Sequence, residues 1–269
     1  MPEGHTLYRL AREQSALFAG RPVRVSSPQG RFEAGATLLD GRVLDEVFSY
    51  GKHLFAAFGG DTLHVHLGLY GSYTTGTGSP PPARGALRMR WEGPGPHGDG
   101  VWTDLRGPTA CEVLPAPEVD RILARLGPDP LRPRSDGASA HRRITGSRTA
   151  LGALLMDQTV LAGVGNVYRA EVLFRHGVSP FRPGRDVDAD LWGRMWADLV
   201  VLMRAGVRMG RIVTTRPEHR ARRRGTVRRD DAHYVYRRTG LPCRICGTDV
   251  LTEVMVGRNL YWCPVCQAD

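Results

Sequence analysis

Two residues near the start of the chain, Pro2 and Glu3, carry groups that could act on an electrophilic carbon. We expect Met1 to be removed because a small residue follows it, which would leave Pro2 with a free secondary amine. An α-amino group has a pKa of about 7.7–8.0, so a useful fraction is neutral and nucleophilic near neutral pH. Such an amine can form a Schiff base, and the Glu3 carboxyl could move protons. In the alternative interpretation Pro2 only starts a helix.

The composition singles out Lys52, because the chain contains 36 arginines and this one lysine. A lysine ammonium can exchange a proton, whereas an arginine is effectively always charged. Codon bias in a GC-rich genome explains the excess of arginine. It does not explain the position of Lys52, which follows Gly51 between two strand-like runs. We therefore predict a functional role for Lys52.

Four cysteines near the end of the chain have the spacing of a zinc ribbon, in which each pair lies on a tight knuckle. They are Cys243, Cys246, Cys263 and Cys266, separated by two, sixteen and two residues. The 29 residues from 241 to 269 are too few for a core of their own, so zinc would supply on the order of 10 kcal/mol of folding free energy. Because all four ligands are protein groups, we predict one structural zinc ion.

Two further sites could bind phosphate. Arg258 is expected at the tip of a hairpin between the cysteine pairs, where its guanidinium suits an anion; a solvent-facing charge is the alternative. Gly163 and Gly165 precede a helix predicted to begin near Asn166, and the N–H groups of a helix N-terminus bind anions. The alternative there is a helical hairpin with an asparagine cap. The remaining cysteine, Cys111, is expected to be buried in a sandwich.

The hydrophobic pattern predicts an α+β fold that begins with a helix over residues 3–18. Short strands broken by glycine, proline and aspartate follow from 22 to 114 and predict a two-sheet β-sandwich. We expect loops at 74–84 and 93–100. Further helices are predicted at 117–126, 148–156, 166–176 and 188–205.

The proline-rich segment 127–136 is expected to link two parts of the chain. The first part, 1–126, would be the catalytic β-sandwich domain. A helical domain over 137–240 and a zinc-finger hairpin over 241–269 would follow. Residues 216–229 hold seven arginines and one acidic residue, and we expect a mobile basic loop that a ligand orders. A solvated run of charge is the alternative.

The net charge of +10 and pI of about 9.9 indicate an acidic partner, and nucleic acid is the first candidate. The chain contains no apolar run of 18 residues and no signal-peptide pattern. We therefore expect a cytoplasmic protein associated with the nucleoid, whose reduced cysteines are available for metal. A monomer is expected, since no long apolar stripe is left over.

Motifs spread over the whole chain resemble those of the Fpg/Nei family of bifunctional DNA glycosylases, on the endonuclease VIII side and of an actinobacterial type. They occur in family order: Pro2-Glu3, Gly51-Lys52, a helix-two-turn-helix segment over Asp157–Phe174, and a zinc finger with Gly257-Arg258 and Trp262-Cys263-Pro264. The resemblance implies a β-sandwich followed by a helical DNA-binding domain and a zinc finger. It also implies a partner, double-stranded DNA that contains an oxidised base or an AP site.

The resemblance implies catalytic roles for four residues. Pro2 would form the Schiff base at C1′ and displace the damaged base, and Glu3 would protonate the opening sugar. Lys52 would contact a phosphate near the lesion and donate the proton in β-elimination. Arg258 would grip the phosphates that flank the flipped nucleotide and assist δ-elimination.

Four more residues match DNA contacts of the family. Asn166 would hold a phosphate from the helical hairpin, and Arg125 matches a further DNA contact. Leu69 and Tyr70 occupy the place of the wedge that fills the gap left by the extruded base, since flipping a base costs a few kcal/mol of stacking.

The sequence departs from the family pattern at two positions. Thr6 stands where many relatives carry a second glutamate, which puts a proton relay there in doubt. Gly68 replaces a polar residue beside the wedge, so the opposite base could be read loosely.

Two hypotheses follow. The first is a base-excision glycosylase and AP lyase, expected to act on oxidised pyrimidines. The second is a non-catalytic zinc-ribbon protein that binds damaged DNA on the same scaffold. Basic charge and zinc fit both, whereas Pro2, Glu3 and Lys52 favour the enzyme.

Overall fold

The structure, a computed structural model, describes residues 2–222 and 225–268. The chain forms two compact units, Met1–Arg125 and Leu126–Asp269. The segment predicted as a linker begins the second unit, where Asp129 and Leu131 are buried. The four-part division of the chain stays a prediction. No helix within the described ranges is long and apolar enough to cross a membrane.

The first unit opens with helix α1 (Gly4–Phe18), one residue later than predicted, with Glu3 at the N-cap position. Its buried face includes Leu7, Ala11 and Phe18, which follow the helical period. Phe18 packs edge-on against Trp91, with ring centroids 5.7 Å apart. The helix is therefore fixed through the main hydrophobic core of the unit.

Two antiparallel sheets of four strands each form the predicted sandwich, and the predicted fold class is confirmed. The first sheet has the order β1 (Arg24–Ser26), β6 (Leu87–Gly93), β7 (Val101–Arg106) and β5 (Ser72–Thr77). The second has the order β2 (Glu46–Tyr50), β3 (His53–Phe58), β4 (Asp61–His66) and β8 (Ala110–Pro115). Two helices, α2 (Glu33–Leu39) and α3 (Ala116–Ala124), complete the unit.

Two expectations for this unit need correction. Strand β5 extends to Thr77, so the first part of the predicted loop 74–84 is strand. The reason is cross-strand pairing with β7, where the hydroxyls of Thr75 and Thr103 lie 3.0 Å apart. Helix α2 was not predicted at all, because its seven residues are too few to show a clear period.

The second unit contains four α-helices, three short 3-10 helices and a hairpin in its described part. The α-helices are α4 (Ala138–Thr145), α5 (Leu151–Leu154), α6 (Asn166–Arg175) and α7 (Ala189–Met209), and the hairpin pairs β9 (Leu251–Met255) with β10 (Arg258–Trp262). The predicted helix 148–156 is wrong in extent, because Ala150 forms a β-bridge with Pro183 and leaves only four helical residues. Helix α7 begins where the Asp188 carboxylate accepts the backbone N–H of Leu191 at 2.7 Å.

Helix α6 is buried along nearly its whole length, including the charged residues Arg169 and Glu171. The Glu171 carboxylate accepts the backbone N–H groups of Tyr234, Val235 and Tyr236 at 2.7–2.8 Å. It also accepts the hydroxyl of Thr214. One buried carboxylate therefore fixes the chain segment that leads into the cysteine-rich hairpin.

Candidate active site and zinc centre

The N-terminal residues are positioned by α1. Pro2 is half-buried and Glu3 is fully buried at the N-cap of the helix, where its backbone carbonyl accepts the N–H of Thr6 at 2.8 Å. The positive end of a helix dipole favours negative charge at this position. Burial lowers the pKa of the neighbouring His5 to about 4, so this imidazole stays neutral at pH 7. The Thr6 hydroxyl oxygen lies 3.3 Å from Nε2 of His5.

Lys52 lies in a two-residue turn between β2 and β3, whose last and first residues, Tyr50 and His53, are paired. Gly51 has φ 57° at the first position of the turn, the conformation that a tight hairpin of the II′ type requires and that glycine adopts without strain. Helix α1 packs against β2 and β3. The first unit thus places the helix that carries Pro2 and Glu3 against the hairpin that carries Lys52.

Three histidines next to this turn were not identified from the sequence. His53 Nδ1 lies 2.8 Å from His64 Nε2, and His64 Nδ1 lies 2.9 Å from Glu112 Oε1. Burial, together with electrostatic interactions with His64, His66, Arg125 and Lys52, lowers the pKa of His53 to about 3. The alternation His64-Val65-His66 on one strand was the available signal, since alternate strand residues share a face.

The predicted wedge residues lie in the loop between β4 and β5. Leu69 is 37% exposed and Tyr70 is 87% exposed, the highest value among the large hydrophobic side chains of the described residues. Gly68 has φ 64°, and a Cβ there would collide with the hydroxyl of Thr109. A side chain at 68 would therefore require both movement of Thr109 and a left-handed backbone that L side chains rarely adopt.

Arg125 is the C-cap residue of α3, so the end of a helix fixes its backbone. Its positive charge contributes to the lowered pKa of His53, after burial and the two neighbouring histidines. Arg125 therefore lies near the Lys52 turn, within the same unit. Its role as a DNA contact stays a prediction.

Asn166 is the first residue of α6, as predicted, and it is buried. The helix is capped by Gly165 without a side-chain hydrogen bond, so the alternative of an asparagine cap is wrong. The Asn166 side-chain amide donates to the carbonyl of Asn259 at 2.9 Å, and its Oδ1 accepts from Arg169. Asn166 thereby connects the helix start to the hairpin strand that begins with Arg258, while its contact with phosphate stays a prediction.

Arg258 begins β10 next to the tip of the predicted hairpin, paired with Met255. The tip itself is Val256-Gly257, with φ 54° and 64°. A positive φ is a strained conformation for a β-branched residue such as valine. Across residues 2–222 and 225–268, no hydrogen bond or ion pair engages the half-buried Arg258 guanidinium, so its donors are available to a phosphate.

The four cysteines of the predicted zinc site cluster in the second unit, with all sulfurs within 4.8 Å of one another. The Sγ atoms of Cys243 and Cys266 are 3.8 Å apart, and those of Cys246 and Cys263 are 3.4 Å apart. A tetrahedron with Zn–S bonds of about 2.3 Å requires sulfurs about 3.8 Å apart. The donor set therefore fits one structural zinc ion, as predicted.

The fifth cysteine, Cys111, lies in β8 and is half-buried against the core of the sandwich. Burial raises the pKa of its thiol to about 12. The thiol is therefore protonated and unreactive at pH 7, and it lies outside the cluster of four cysteines.

The predicted basic loop 216–229 is described except for Arg223 and Arg224, which lie outside the described residues. Its first residues, 216–220, are anchored by hydrogen bonds to the protein. Arg220 donates to the Thr215 hydroxyl at 3.0 Å, and the Tyr234 hydroxyl accepts the backbone N–H of Arg216 at 3.0 Å.

Three family models match the chain in succession. They are the formamidopyrimidine-DNA glycosylase N-terminal domain over residues 1–111, the formamidopyrimidine-DNA glycosylase H2TH domain over 126–218, and the zinc finger found in FPG and IleRS over 240–268. These segments contain the Lys52 turn, helix α6 and the four cysteines respectively. The order of the models matches the order in which the sequence motifs occur.

Whole-length relatives agree with these models. Endonuclease 8 1 of Mycobacterium tuberculosis is 53% identical over 273 residues, covering 99% of this chain and 100% of the relative. The formamidopyrimidine-DNA glycosylase of Thermus thermophilus is 33% identical, covering 100% and 99%. A crystal structure of the Lactococcus lactis formamidopyrimidine-DNA glycosylase with AP-site DNA superposes with a TM-score of 0.82 at 21% identity, covering 99% and 100%.

A sandwich, an H2TH helical segment and a four-cysteine finger in this order define a DNA-repair glycosylase. The chain belongs to the Fpg/Nei family, and the resemblance stated from its motifs is confirmed.

Proposed function

We propose that this base-excision DNA glycosylase and AP lyase uses Pro2 as its nucleophile and acts on an oxidised pyrimidine in double-stranded DNA. One observation carries the proposal. Glu3 is buried at the start of the helix that packs against the hairpin bearing Lys52, the one lysine of the chain. A carboxyl group and an ammonium group are thus held in the unit that begins with Pro2.

In the proposed reaction the Pro2 nitrogen attacks C1′ and the bond from C1′ to the damaged base breaks. Glu3 gives a proton to the ring oxygen of the opening sugar, and the Pro2 nitrogen becomes an iminium. The positive iminium acidifies the C2′ hydrogen, which passes to solvent as a proton. The electron pair left behind forms the C2′–C3′ double bond as the C3′–O bond to the 3′ phosphate breaks in β-elimination. Lys52 supplies the proton for this step, and elimination of the 5′ phosphate follows with help from Arg258.

The proposal assigns the remaining predicted residues to DNA. Asn166 holds a phosphate, Arg125 makes a further DNA contact, and Leu69 and Tyr70 fill the gap left by the extruded base. The exposure of both wedge side chains supports this assignment. The net charge of +10 supplies non-specific duplex affinity, so binding should weaken steeply with salt, and association with the nucleoid is part of the proposal.

The choice of an oxidised pyrimidine rests on the resemblance of the motifs to the endonuclease VIII side of the family. The relative called endonuclease 8 1 is 53% identical, against 33% for the relative called a formamidopyrimidine-DNA glycosylase. The alternative of a non-catalytic damage-binding protein is not favoured, because the motifs at Pro2, Glu3 and Lys52 accompany family membership over the whole chain.

Borohydride trapping tests the proposal. Wild type, Pro2→Gly and Lys52→Ala would be incubated with duplexes that carry one AP site or one oxidised pyrimidine, and mass spectrometry would establish the N-terminal residue. We expect a covalent complex that survives denaturation in wild type and is lost or sharply reduced in Pro2→Gly. Absence of any adduct, with Met1 removed and tight binding retained, would disprove the catalytic role of Pro2.

A further inference from the structure

A continuous row of polar side chains crosses three strands of the second sheet. The register pairs His64 directly with Glu112, and it pairs His53 with His66. Direct and diagonal cross-strand neighbours share one face of a sheet. The two hydrogen bonds of 2.8 and 2.9 Å link Glu112, His64 and His53 into one chain, here called the histidine chain.

Glu112, at the outer end of the histidine chain, determines which imidazole nitrogen carries the proton in His64 and in His53. A carboxylate only accepts hydrogen bonds, so His64 donates to Glu112 from Nδ1. A neutral His64 then accepts at Nε2, and His53 donates to it from its own Nδ1. Both rings are held with the proton on Nδ1, and Nε2 of His53 is left as an acceptor.

His53, at the inner end of the histidine chain, lies beside the Lys52 turn. His53 directly follows Lys52 and pairs with Tyr50 across the base of its turn. The charges of Lys52 and Arg125 act on His53, and that of Lys52 also acts on His66.

His66 extends the connection to the wedge loop. Its ring centroid is 5.1 Å from that of His53, and its Nδ1 accepts the backbone N–H of Gly68 at 3.2 Å. The segment that follows Gly68 carries Leu69 and Tyr70. The histidine chain is therefore adjacent both to the turn of Lys52 and to the loop of the wedge.

Burying these polar side chains costs folding free energy, which an apolar row at the same positions would avoid. The same face of the sheet buries Phe55, Leu114 and Val119 in an apolar cluster. Buried polar groups need every partner satisfied, and well-packed apolar residues of similar size are often equally stabilising or more so. The His64 side chain is nevertheless 5% exposed and bonded to a carboxylate whose side chain is 52% exposed.

We propose that Glu112, His64 and His53 are positioning residues that hold the Lys52 turn in place and keep an acceptor nitrogen beside it. The inference rests on the proposed role of Lys52 in β-elimination. It assigns no contact with DNA to the three residues, which act through Lys52. The elimination step should therefore depend on the histidine chain, whereas attack by Pro2 should not.

Single-turnover assays on an AP-site duplex separate the two steps. Borohydride trapping reports the Schiff base, and strand cleavage reports elimination. In Glu112→Ala and His64→Phe we expect trapping within about twofold of wild type and elimination slowed roughly ten- to a hundredfold, the cost of misplacing a catalytic group. Glu112→Gln keeps an acceptor for His64 Nδ1–H and should recover most of the rate. Glu46→Ala, an exposed glutamate on the same sheet, is the matched control and should resemble wild type.

Nitrogen-15 NMR of the histidine side chains measures the tautomer of each imidazole directly, which activity assays do not. We expect His53 and His64 as Nδ1–H tautomers in wild type and a changed His64 tautomer in Glu112→Ala. The inference fails if wild type shows the Nε2–H tautomer at His53. It also fails if elimination in Glu112→Ala is unchanged, or if trapping and elimination fall together. Failure of the proposed function is distinct, because wild type itself would then give no trapped adduct.

Discussion

The Glu171 carboxylate accepts the backbone N–H of Val235 at 2.8 Å, across 64 positions of the chain. The same side chain accepts two neighbouring backbone N–H groups and the Thr214 hydroxyl. It is fully buried, so water cannot replace it as the acceptor. The bond therefore joins helix α6 to the segment that leads into the zinc hairpin.

Glu171→Gln should lower the free energy of unfolding by about 2–4 kcal/mol. The amide keeps one oxygen but turns a donor toward backbone donors, which leaves buried N–H groups unsatisfied. Urea unfolding would measure the loss. Glu253→Gln, on the exposed strand β9, is the control and should change stability little. Equal effects of the two changes would contradict the structural role of Glu171.

Zinc removal should unfold the hairpin of β9 and β10. The four clustered cysteines would hold one ion as thiolates, and metal binding of this kind supplies much of the folding free energy of so small a segment. Elemental analysis of wild type should give one zinc per chain, and Cys246→Ser should lower both zinc content and duplex affinity. Cys111→Ser changes the cysteine outside the cluster and should keep the full zinc content. Loss of zinc in that control would contradict the assignment.

Val256→Asn should stabilise the protein by about 1 kcal/mol. Val256 has φ 54° in the hairpin tip, a conformation that asparagine tolerates far better than a β-branched residue. Thermal unfolding of the zinc-loaded protein would show the gain. Val254→Asn is the matched control, since Val254 is also exposed, at 71% against 61% for Val256, but lies within β9, and we expect no gain from it. A gain in both variants would show that an exposed polar side chain stabilises the hairpin at either position, and that relief of backbone strain at 256 is not the cause.

His53 should make the free energy of unfolding depend on pH. Burial, together with nearby positive charge, lowers the pKa of His53 to about 3, whereas an unfolded histidine has a pKa of about 6.5. The unfolded chain therefore binds the extra proton between these values, and stability falls as pH drops below 6.5. Between pH 7 and pH 5 the loss from this group is about 2 kcal/mol.

Comparison of wild type with His53→Gln tests this dependence. Denaturant unfolding at pH 7 and pH 5 should show a smaller loss of stability in the variant. His97→Gln is the control, since His97 is exposed in the loop between β6 and β7 and should leave the dependence unchanged. An unaltered pH dependence in His53→Gln would show that His53 is not the titrating group.

Much of the candidate site could be predicted from the sequence because the features that define it depend on residues close together in the chain. Two Cys-x2-Cys pairs define metal knuckles by spacing alone, and Gly51-Lys52 defines a tight turn because glycine supplies the positive φ. Helix α1 follows from a regular apolar period. In each case the physical cause operates within a few residues, so residues that are close in the sequence are enough to predict the feature.

The other features of the protein depend on the tertiary structure, because they arise from contacts between residues that are distant in the sequence. Glu171 looks like a surface residue of a helix until backbone donors more than sixty positions away are brought to it. Gly68 looks like an ordinary turn glycine until Thr109 fills the space where a side chain would lie. His53, His64 and Glu112 become one hydrogen-bonded row only through the register of three strands, which pairwise hydrogen bonding sets and local composition does not.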